Sequence, residues 1–567
     1  MPYEFFKPVD WIVIFGYLLL TTWVGHALRG SQATIRDFFL GGRSLPWPAV
    51  SGSIIATEIS GVTFIGVPGT LFALHGDFTY LQWAIGSIIA RVIVAKFIVR
   101  VYYEREIYSP YDYMGLRLGL SAKTLATVIF TIGSILAQSV RVLVAAIPLK
   151  IVTGMPLWCC IMIIGIFAIG WTLMGGMRTV IWTDVMQFVL FAVGGTVALV
   201  WLVSGIDGGW FGMLETAKEF GRTRVFNTEL QADLQFTLWV ALFAVPFQNL
   251  GIFGVDQLAA QRMFCCKDAR AAGKAILFSS FGQLITLLML LIGAALFVNY
   301  HQTPFTDAEL ATVFDTRIEN ADAVREVAAR AEHPQTGATS KVLAPRTTKL
   351  ASGEVLTNAS ADYVFPMWIV LALPVGLSGL IIAGVFAAAI SSLDSILAAL
   401  SQTTLSLIYH PERGNVGLTE KQLMTRSHLL VVGWGITLTL FTLLLAQVRE
   451  DIPIIPLAFG MTSYTVGPLL ALFVCAMAGR GSVKGLLIGF ILSFLLVMFV
   501  RTDIWVLLLK AGWVSPEFLA ALPTYALNAT KTGITSAFSY TWMWPITFVI
   551  TFAFGALFAG PPSRKND

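Results

Sequence analysis

The sequence predicts an all-α polytopic membrane protein, and three observations predict it: the composition, the recurrence of long apolar stretches, and the side on which the basic residues fall. Of 567 residues, 56% are apolar and only 12% charged, where a soluble domain carries roughly 25% charged. A soluble chain this long needs a large polar surface, and too few charged residues are available to make one. Helices in lipid need no such surface.

Apolar stretches of about 20 residues recur at 9–28, 45–73, 78–99, 124–149, 155–174, 179–203, 234–260, 273–298, 374–409, 429–447, 453–477, 482–500 and 539–560. Each is long enough to cross hydrocarbon as a helix, which gives about thirteen transmembrane helices. The window 9–28 lacks a basic n-region and a small-residue cleavage site, so it reads as a retained helix and not a signal peptide. Trp505, Leu507 and Leu508 make a short apolar run within 500–530, a candidate interfacial helix.

Basic residues sort the connections into two sides. Arg29, Arg36 and Arg43, then Arg100, Arg105, Arg117 and Lys123, then Arg178, fall on one side. So do Arg262, Lys267, Arg270 and Lys274, then Arg413, Lys421 and Arg426, then Arg480 and Lys484, and finally Arg564 and Lys565. Connections 74–77 and 150–155 on the other side hold almost none. The pattern predicts an external N-terminus and a cytoplasmic C-terminus in a plasma membrane, here taken as a bacterial inner membrane. The net charge of +4 is this asymmetry, and no basic stripe on a soluble face points to nucleic acid.

Two external segments interrupt the membrane pattern, 204–233 and the longer 299–363. Within the second, 320–332 carries charge at helical spacing around Ala323, Val324, Val327 and Ala328, which predicts a short surface helix. Both segments read as external elaborations without chemistry, with partner binding or gating as the other reading. The five cysteines form no disulfide framework across these segments, and with six scattered histidines they make no metal or haem centre.

Polar residues at membrane depth either bury against a partner or line a path. Four places stand out. Ser51-Gly52-Ser53-Ile54-Ile55-Ala56-Thr57-Glu58-Ile59-Ser60-Gly61-Val62-Thr63-Phe64-Ile65-Gly66-Val67-Pro68-Gly69 sets hydroxyls, glycines and a carboxylate in an apolar run. Unwinding near 58–62 would free carbonyls for a cation, with Ser60 and Thr63 offering hydroxyls. Close packing of small residues is the alternative, but packing gives no reason for Glu58. The second place is 387–395: on a helical wheel Ala388, Ser391, Ser392 and Ser395 share an arc of about 100° with Asp394 at its edge. Hydroxyls bonded back to their own helix would explain a serine or two, but not the acid. Asp184, just past the Gly175-Gly176-Met177-Arg178 turn, is either a helix cap or an ion ligand or internal ion-pair partner. Arg141 lies too deep in 124–149 to snorkel and needs an internal anion, with Glu58 as fixed candidate and a substrate carboxylate as functional one.

At this point the sequence resembles the sodium:solute symporter family (solute carrier family 5-like). The likeness runs from Phe38-Phe39-Leu40-Gly41-Gly42-Arg43 through 391–395, by way of Gly175-Gly176-Met177 with Trp182-Thr183-Asp184, Asp256-Gln257 with Gln261-Arg262, and Leu373-Pro374-Val375-Gly376-Leu377-Ser378-Gly379-Leu380. The resemblance implies one transporter domain over 1–567: a ten-helix core of two inverted five-helix repeats, 45–205 and 234–477, each opening on a broken helix. One helix (9–28) precedes the core, the insertion 299–363 interrupts it, and C-terminal helices (478–567) follow. It implies a sodium site from the carbonyls of Ala56, Ile59 and Ala388 and the hydroxyls of Ser391 and Ser392. A second sodium, where members have one, maps to Asp184, Ser391 and Ser395, with Asp394 beside them.

Substrate residues are implied less uniformly. The sugar branch places an amide and an acid where this chain has Thr63 and Val62, which disfavours a hexose. The bacterial sialic acid branch resembles this chain at Ser60, Thr63, Phe78, Gln82 and Arg141: hydroxyls and Arg for the carboxylate, Gln for the polar tail. Glu58 departs from that branch and matches the proline branch, where an acid stands at this position. The expectation is sodium-coupled symport (Na+ as the coupling ion) of sialic acid, another monocarboxylate or a zwitterionic amino acid. No obligate protein partner is evident. A channel lacks a repeated pore lining, an intramembrane enzyme lacks a nucleophile–base or metal constellation, and a solute sensor would need an output module after the last span.

Overall fold

A computed structural model of the chain describes residues 4, 6–28, 40–73, 76–104, 107, 109–173, 177–313, 331–332, 339–340, 348–349, 355–356, 361–409, 419–449, 452–522, 525–527 and 534–558. The expected surface helix over 320–332 falls outside them except for Ala331 and Glu332, which pair with Ser340 and Thr339 as an antiparallel ladder.

Every one of the thirteen apolar windows is largely helical. We label α1 Pro8–Leu28, α2 Trp47–Glu58, α3 Val67–Phe72, α4 Trp83–Ile93, α5 Leu120–Thr153, α6 Leu157–Thr172 and α7 Met177–Ser204. There follow α8 Leu238–Val255, α9 Gln257–Met263, α10 Ala269–Gln302, α11 Leu377–Tyr409, α12 Glu420–Arg449, α13 Ile454–Ala478, α14 Val483–Val500, α15 Thr502–Lys510 and α16 Tyr540–Leu557. Among the described residues ten helices are long and apolar enough to cross a bilayer, and α2 with the Val62–Phe72 helix, bent by 55°, makes an eleventh span. The candidate interfacial helix is α15. Strands are confined to two- and three-residue ladders in connections.

The solvent of this fold is lipid. Ile12, Leu19 and Trp23 of α1 are about 70% exposed, while Arg91, Asp184 and Arg262 are wholly buried, the reverse of a soluble domain. Helices approach closely where a side chain would not fit. A Cβ on Gly293 of α10 would stand 2.7 Å from the Pro68 carbonyl oxygen, so α3 lies directly on α10. The serine-bearing α11 packs against α1, α5, α6, α7 and α12, and α2 against α7 and the start of α10.

Both windows expected to open a repeat are interrupted. α2 follows Pro46 in extended conformation and stops at Ile59 (φ −84°, ψ 88°). α8 stops at Val255, and Asp256 (φ −69°, ψ 134°) turns the chain into α9, whose Leu258 N–H its carboxylate accepts at 2.7 Å. An Asx-type cap restarts the helix there.

Candidate functional site

The first break frees backbone oxygen. The Ser60 N–H turns to the Glu58 carbonyl (3.2 Å) and the Thr63 N–H to the Ser60 carbonyl (2.9 Å), while the Val62 N–H donates to Ser60 Oγ (3.3 Å). The donors that a continuous helix would give to the Ala56 and Ile59 carbonyls therefore point elsewhere. These are the two carbonyls expected at the sodium site. On α11, Ser392 is fully buried and its hydroxyl has no hydrogen-bond partner among the described residues. An unsatisfied buried polar group costs about 1–3 kcal/mol, a penalty that a hard cation would remove. The side chains of Ala388 and Ser391 lie outside the described residues.

Beside the break, a cavity is lined by Thr57, Glu58, Ile59, Ser60, Thr63, Arg141, Asp256 and Gln283, among others. Four charged residues line it, Glu58, Arg141, Asp256 and Arg262, and the first two have unlike surroundings. Glu58 pairs with the wholly buried Arg91 and accepts a hydrogen bond from Gln283 Nε2 at 3.1 Å. Arg91 in turn donates to Ser87 Oγ (2.8 Å) and stacks 4.2 Å over the Phe253 ring. Arg141 donates to the Thr57 carbonyl at 3.0 Å, and no carboxylate pairs with it among the described residues. Of the two anions offered for Arg141, the fixed one is corrected: Glu58 pairs with Arg91 of α4 instead.

Phe78 and Gln82 do not line this cavity. Phe78 is buried in the apolar core. The Gln82 amide is engaged by backbone: Nε2 donates to the carbonyls of Thr79 (3.1 Å) and Phe236 (3.2 Å), and Oε1 accepts the Asn227 N–H (3.2 Å).

Ahead of the break lies a buried polar cluster. Asp184 pairs with Arg262 at 3.0 Å, and Arg262 also donates to Ser53 Oγ (2.9 Å), Ser395 Oγ (2.7 Å) and the Leu258 carbonyl (2.9 Å). Ser53 donates to Asp184, and Ser395 Oγ to Asp394 at 3.1 Å. The arrangement brings together Asp184, Asp394 and Ser395, as expected for a second ion, but around a guanidinium. Arg262 was grouped by position with the cytoplasmic basic residues; the turn at Asp256 carries α9 back into the protein and buries it.

Arg91, Gln283, Ser53 and the buried role of Arg262 were not read from the sequence. A signal existed for Arg91, since the depth argument made for Arg141 applies to it equally.

Comparison with known proteins follows this geometry. A family model described as the sodium:solute symporter family matches residues 38–324 and 340–489. The chain is 29% identical over 390 residues to the sodium/glucose cotransporter of Vibrio parahaemolyticus, covering 66% of this chain and 63% of that protein. It is 30% identical over 282 residues to sodium-coupled monocarboxylate transporter 2 of Bos taurus, covering 49% and 45%. With the sodium/sialic acid symporter of Proteus mirabilis it shares 25% over 508 residues, 87% and 89% of the two chains. The match thus spans less than two thirds of the first two of these relatives and most of the third. A solved Na+-coupled sialic acid symporter in a substrate-bound outward-open state aligns with a TM-score of 0.72 at 22% identity over 97% of both chains, a likeness of fold. With the family model covering most of its length, from ahead of the first broken helix to α14, the chain belongs to the sodium:solute symporter family.

Proposed function

We propose that this protein is a sodium-coupled secondary active symporter of a small organic anion bearing a carboxylate, sialic acid or another monocarboxylate, working by alternating access. The observation that carries the reading is the contrast inside the cavity. Glu58 is neutralised by Arg91, whereas Arg141 offers its planar fork beside the broken helix with only a backbone carbonyl as partner. A guanidinium open to a cavity, with no carboxylate in ion-pair contact among the described residues and Asp256 acting on it only across the cavity wall, suits an anionic ligand. The pairing of Glu58 with Arg91 weakens the case for a proline-like zwitterion and leaves Asp256 as the other acid of the cavity wall that could meet its ammonium. Glu58 and Gln283 instead suit a hydroxyl or amide on the solute, and the hydroxyls of Ser60 and Thr63 flank the carboxylate. Relatives named for monocarboxylate and sialic acid transport agree with an acid; the one named for glucose supplies the competing neutral solute.

Sodium would occupy the gap between the Ala56 and Ile59 carbonyls and the Ala388, Ser391 and Ser392 face of α11. Arg262 ties Ser53 to Ser395, so these turns share one level. Ala56 lies three residues beyond Ser53 and Ser392 three before Ser395. With α2 and α11 running oppositely, as thirteen crossings in two inverted repeats require, both move about 4.5 Å the same way. Sodium binding would order the break and raise solute affinity by linkage, and each net charge carried inward contributes about 2.3 kcal/mol per 100 mV. The orientation is N-terminus external and C-terminus cytoplasmic, in a plasma membrane.

The test is uptake into proteoliposomes under an inward sodium gradient, with radiolabelled sialic acid, a short monocarboxylate, proline and glucose compared against a potassium control. Sodium-dependent accumulation of an acid supports the reading. Accumulation of proline or glucose alone sinks the anion assignment, and accumulation without sodium sinks the coupling.

A further inference from the structure

The outer ends of the two helices that face each other across the proposed sodium site are each held by a charged side chain from outside them. At the start of α11, Asp10 of α1 is 1% exposed. Its Oδ1 accepts three hydrogen bonds: from the Gly376 N–H (2.7 Å), Ser378 Oγ (2.7 Å) and the Gly379 N–H (3.0 Å). Its Oδ2 accepts the Lys7 N–H at 2.9 Å. The approach needs glycine, since a Cβ on Gly379 would stand 2.6 Å from Asp10 Cα. A carboxylate at the first turn satisfies N–H groups that the helix leaves unpaired and lies at the positive end of its dipole.

The broken helix is held in the mirror fashion. After α3, Arg222 reaches in from the external segment and donates to the carbonyls of Leu71, Ala73 (3.0 Å) and Gly76 (3.3 Å). Its guanidinium lies 3.5 Å over the Phe297 ring of α10, and the residue is 3% exposed. A cation on carbonyls at a helix C-terminus again matches the dipole.

Both anchors are thirteen residues from the site, Gly379 to Ser392 and Phe72 to Ile59, about 20 Å of helix. α11 is 33 residues long without an internal proline, so displacement at its end is transmitted along a rod.

We propose that Asp10 and Arg222 are positioning residues for sodium: by fixing the outer ends of α11 and of the broken helix, they set the spacing between the Ser392 hydroxyl and the Ala56 and Ile59 carbonyls. The inference rests on the sodium site described above. It assigns a role in ion binding to the helix that precedes the core and to the 204–233 segment, which the sequence reading treated as an elaboration.

The experiment is equilibrium binding of 22Na+ to purified full-length protein in detergent, without solute, on D10A, D10N, R222A and S392A, each first checked for monodispersity and melting temperature. A residue that only supports the fold lowers the yield or the melting temperature but leaves the half-saturating sodium of the surviving folded fraction unchanged. D10A and R222A are expected to raise half-saturation 3- to 10-fold. D10N, which keeps an acceptor oxygen without the charge, is expected to raise it less than D10A. Unchanged half-saturation in folded D10A and R222A, with S392A raised, overturns the positioning role and leaves the sodium site standing; if D10A does not fold, an unchanged D10N with an unchanged R222A does the same. No change in S392A overturns the site itself, and the positioning role with it.

Discussion

Arg141 and Arg262 both line the same cavity, Arg262 fully buried and Arg141 only partly, and they differ in what surrounds them. Arg262 has a carboxylate, two hydroxyls and a carbonyl; Arg141, in the same cavity wall, has one carbonyl. A guanidinium with each of its three nitrogens hydrogen-bonded belongs to the scaffold, and its removal strands a buried Asp184. A guanidinium left incomplete at a cavity wall is completed by whatever enters. The contrast separates a residue that holds the helices from one that recognises the cargo, although both are arginines in apolar surroundings.

The largest expected effect follows directly. Removing one partner of a buried pair costs about 3–5 kcal/mol, so R262A should leave little folded transporter, read as lost monodisperse protein and a lowered melting temperature. A well-folded R262A at normal yield would break the distinction. R141A and R141K should instead fold normally and lose anion binding, by about 100-fold and about 10-fold in Kd, or roughly 2.8 and 1.4 kcal/mol. Lys keeps the charge without the planar fork. Wild-type affinity in R141K, read by calorimetry with the transported acid, would return Arg141 to the scaffold.

How far this contrast was legible in the sequence depends on which contacts decide it. The break was legible, because Glu58, Ser60, Gly61 and Thr63 interrupt an apolar run locally, and so was the depth of Arg141. Partners were not. Glu58 meets Arg91, 33 positions away, and Arg262 meets Asp184, 78 positions away; these depend on which helices pack, and a single sequence carries no record of that. Arg262 was misplaced for a further reason. A rule that sorts basic residues by loop assumes continuous spans, and Asp256 ends one early. Gln82 was matched to a solute by resemblance alone, and the backbone that occupies its amide, at Asn227 of the 204–233 segment and at Phe236 just beyond it, belongs to a stretch without periodicity.

A smaller effect is expected on the sodium side. S392A removes a hydroxyl with no protein partner among the described residues, so the fold should not suffer. Half-saturating sodium for transport should rise about 3- to 10-fold, with solute binding at saturating sodium reduced less. If S392A lowers the melting temperature instead and leaves sodium dependence alone, the hydroxyl belongs with the scaffold group.

The last prediction concerns the charge left over in the scaffold cluster itself. It holds two carboxylates, Asp184 and Asp394, and one guanidinium, Arg262. Asp184 takes the ion pair, whereas Asp394 accepts from Ser395 and has no cation paired with it among the described residues. A buried uncompensated carboxylate is expensive, so in the membrane Asp394 either carries a proton or holds a second sodium together with Ser395. The second sodium is the reading proposed here, since Asp394 and Ser395 lie on α11 within a turn of the Ser392 hydroxyl. Wild type should then show a sodium Hill coefficient above 1 and a ratio near 2:1 from reversal potentials in proteoliposomes, moving toward 1:1 in D394N. That substitution should be milder than D184N, which breaks the Arg262 pair and costs stability. A ratio of 1:1 in wild type, unchanged in D394N, would assign the proton to Asp394 and confine sodium to the Ser392 site.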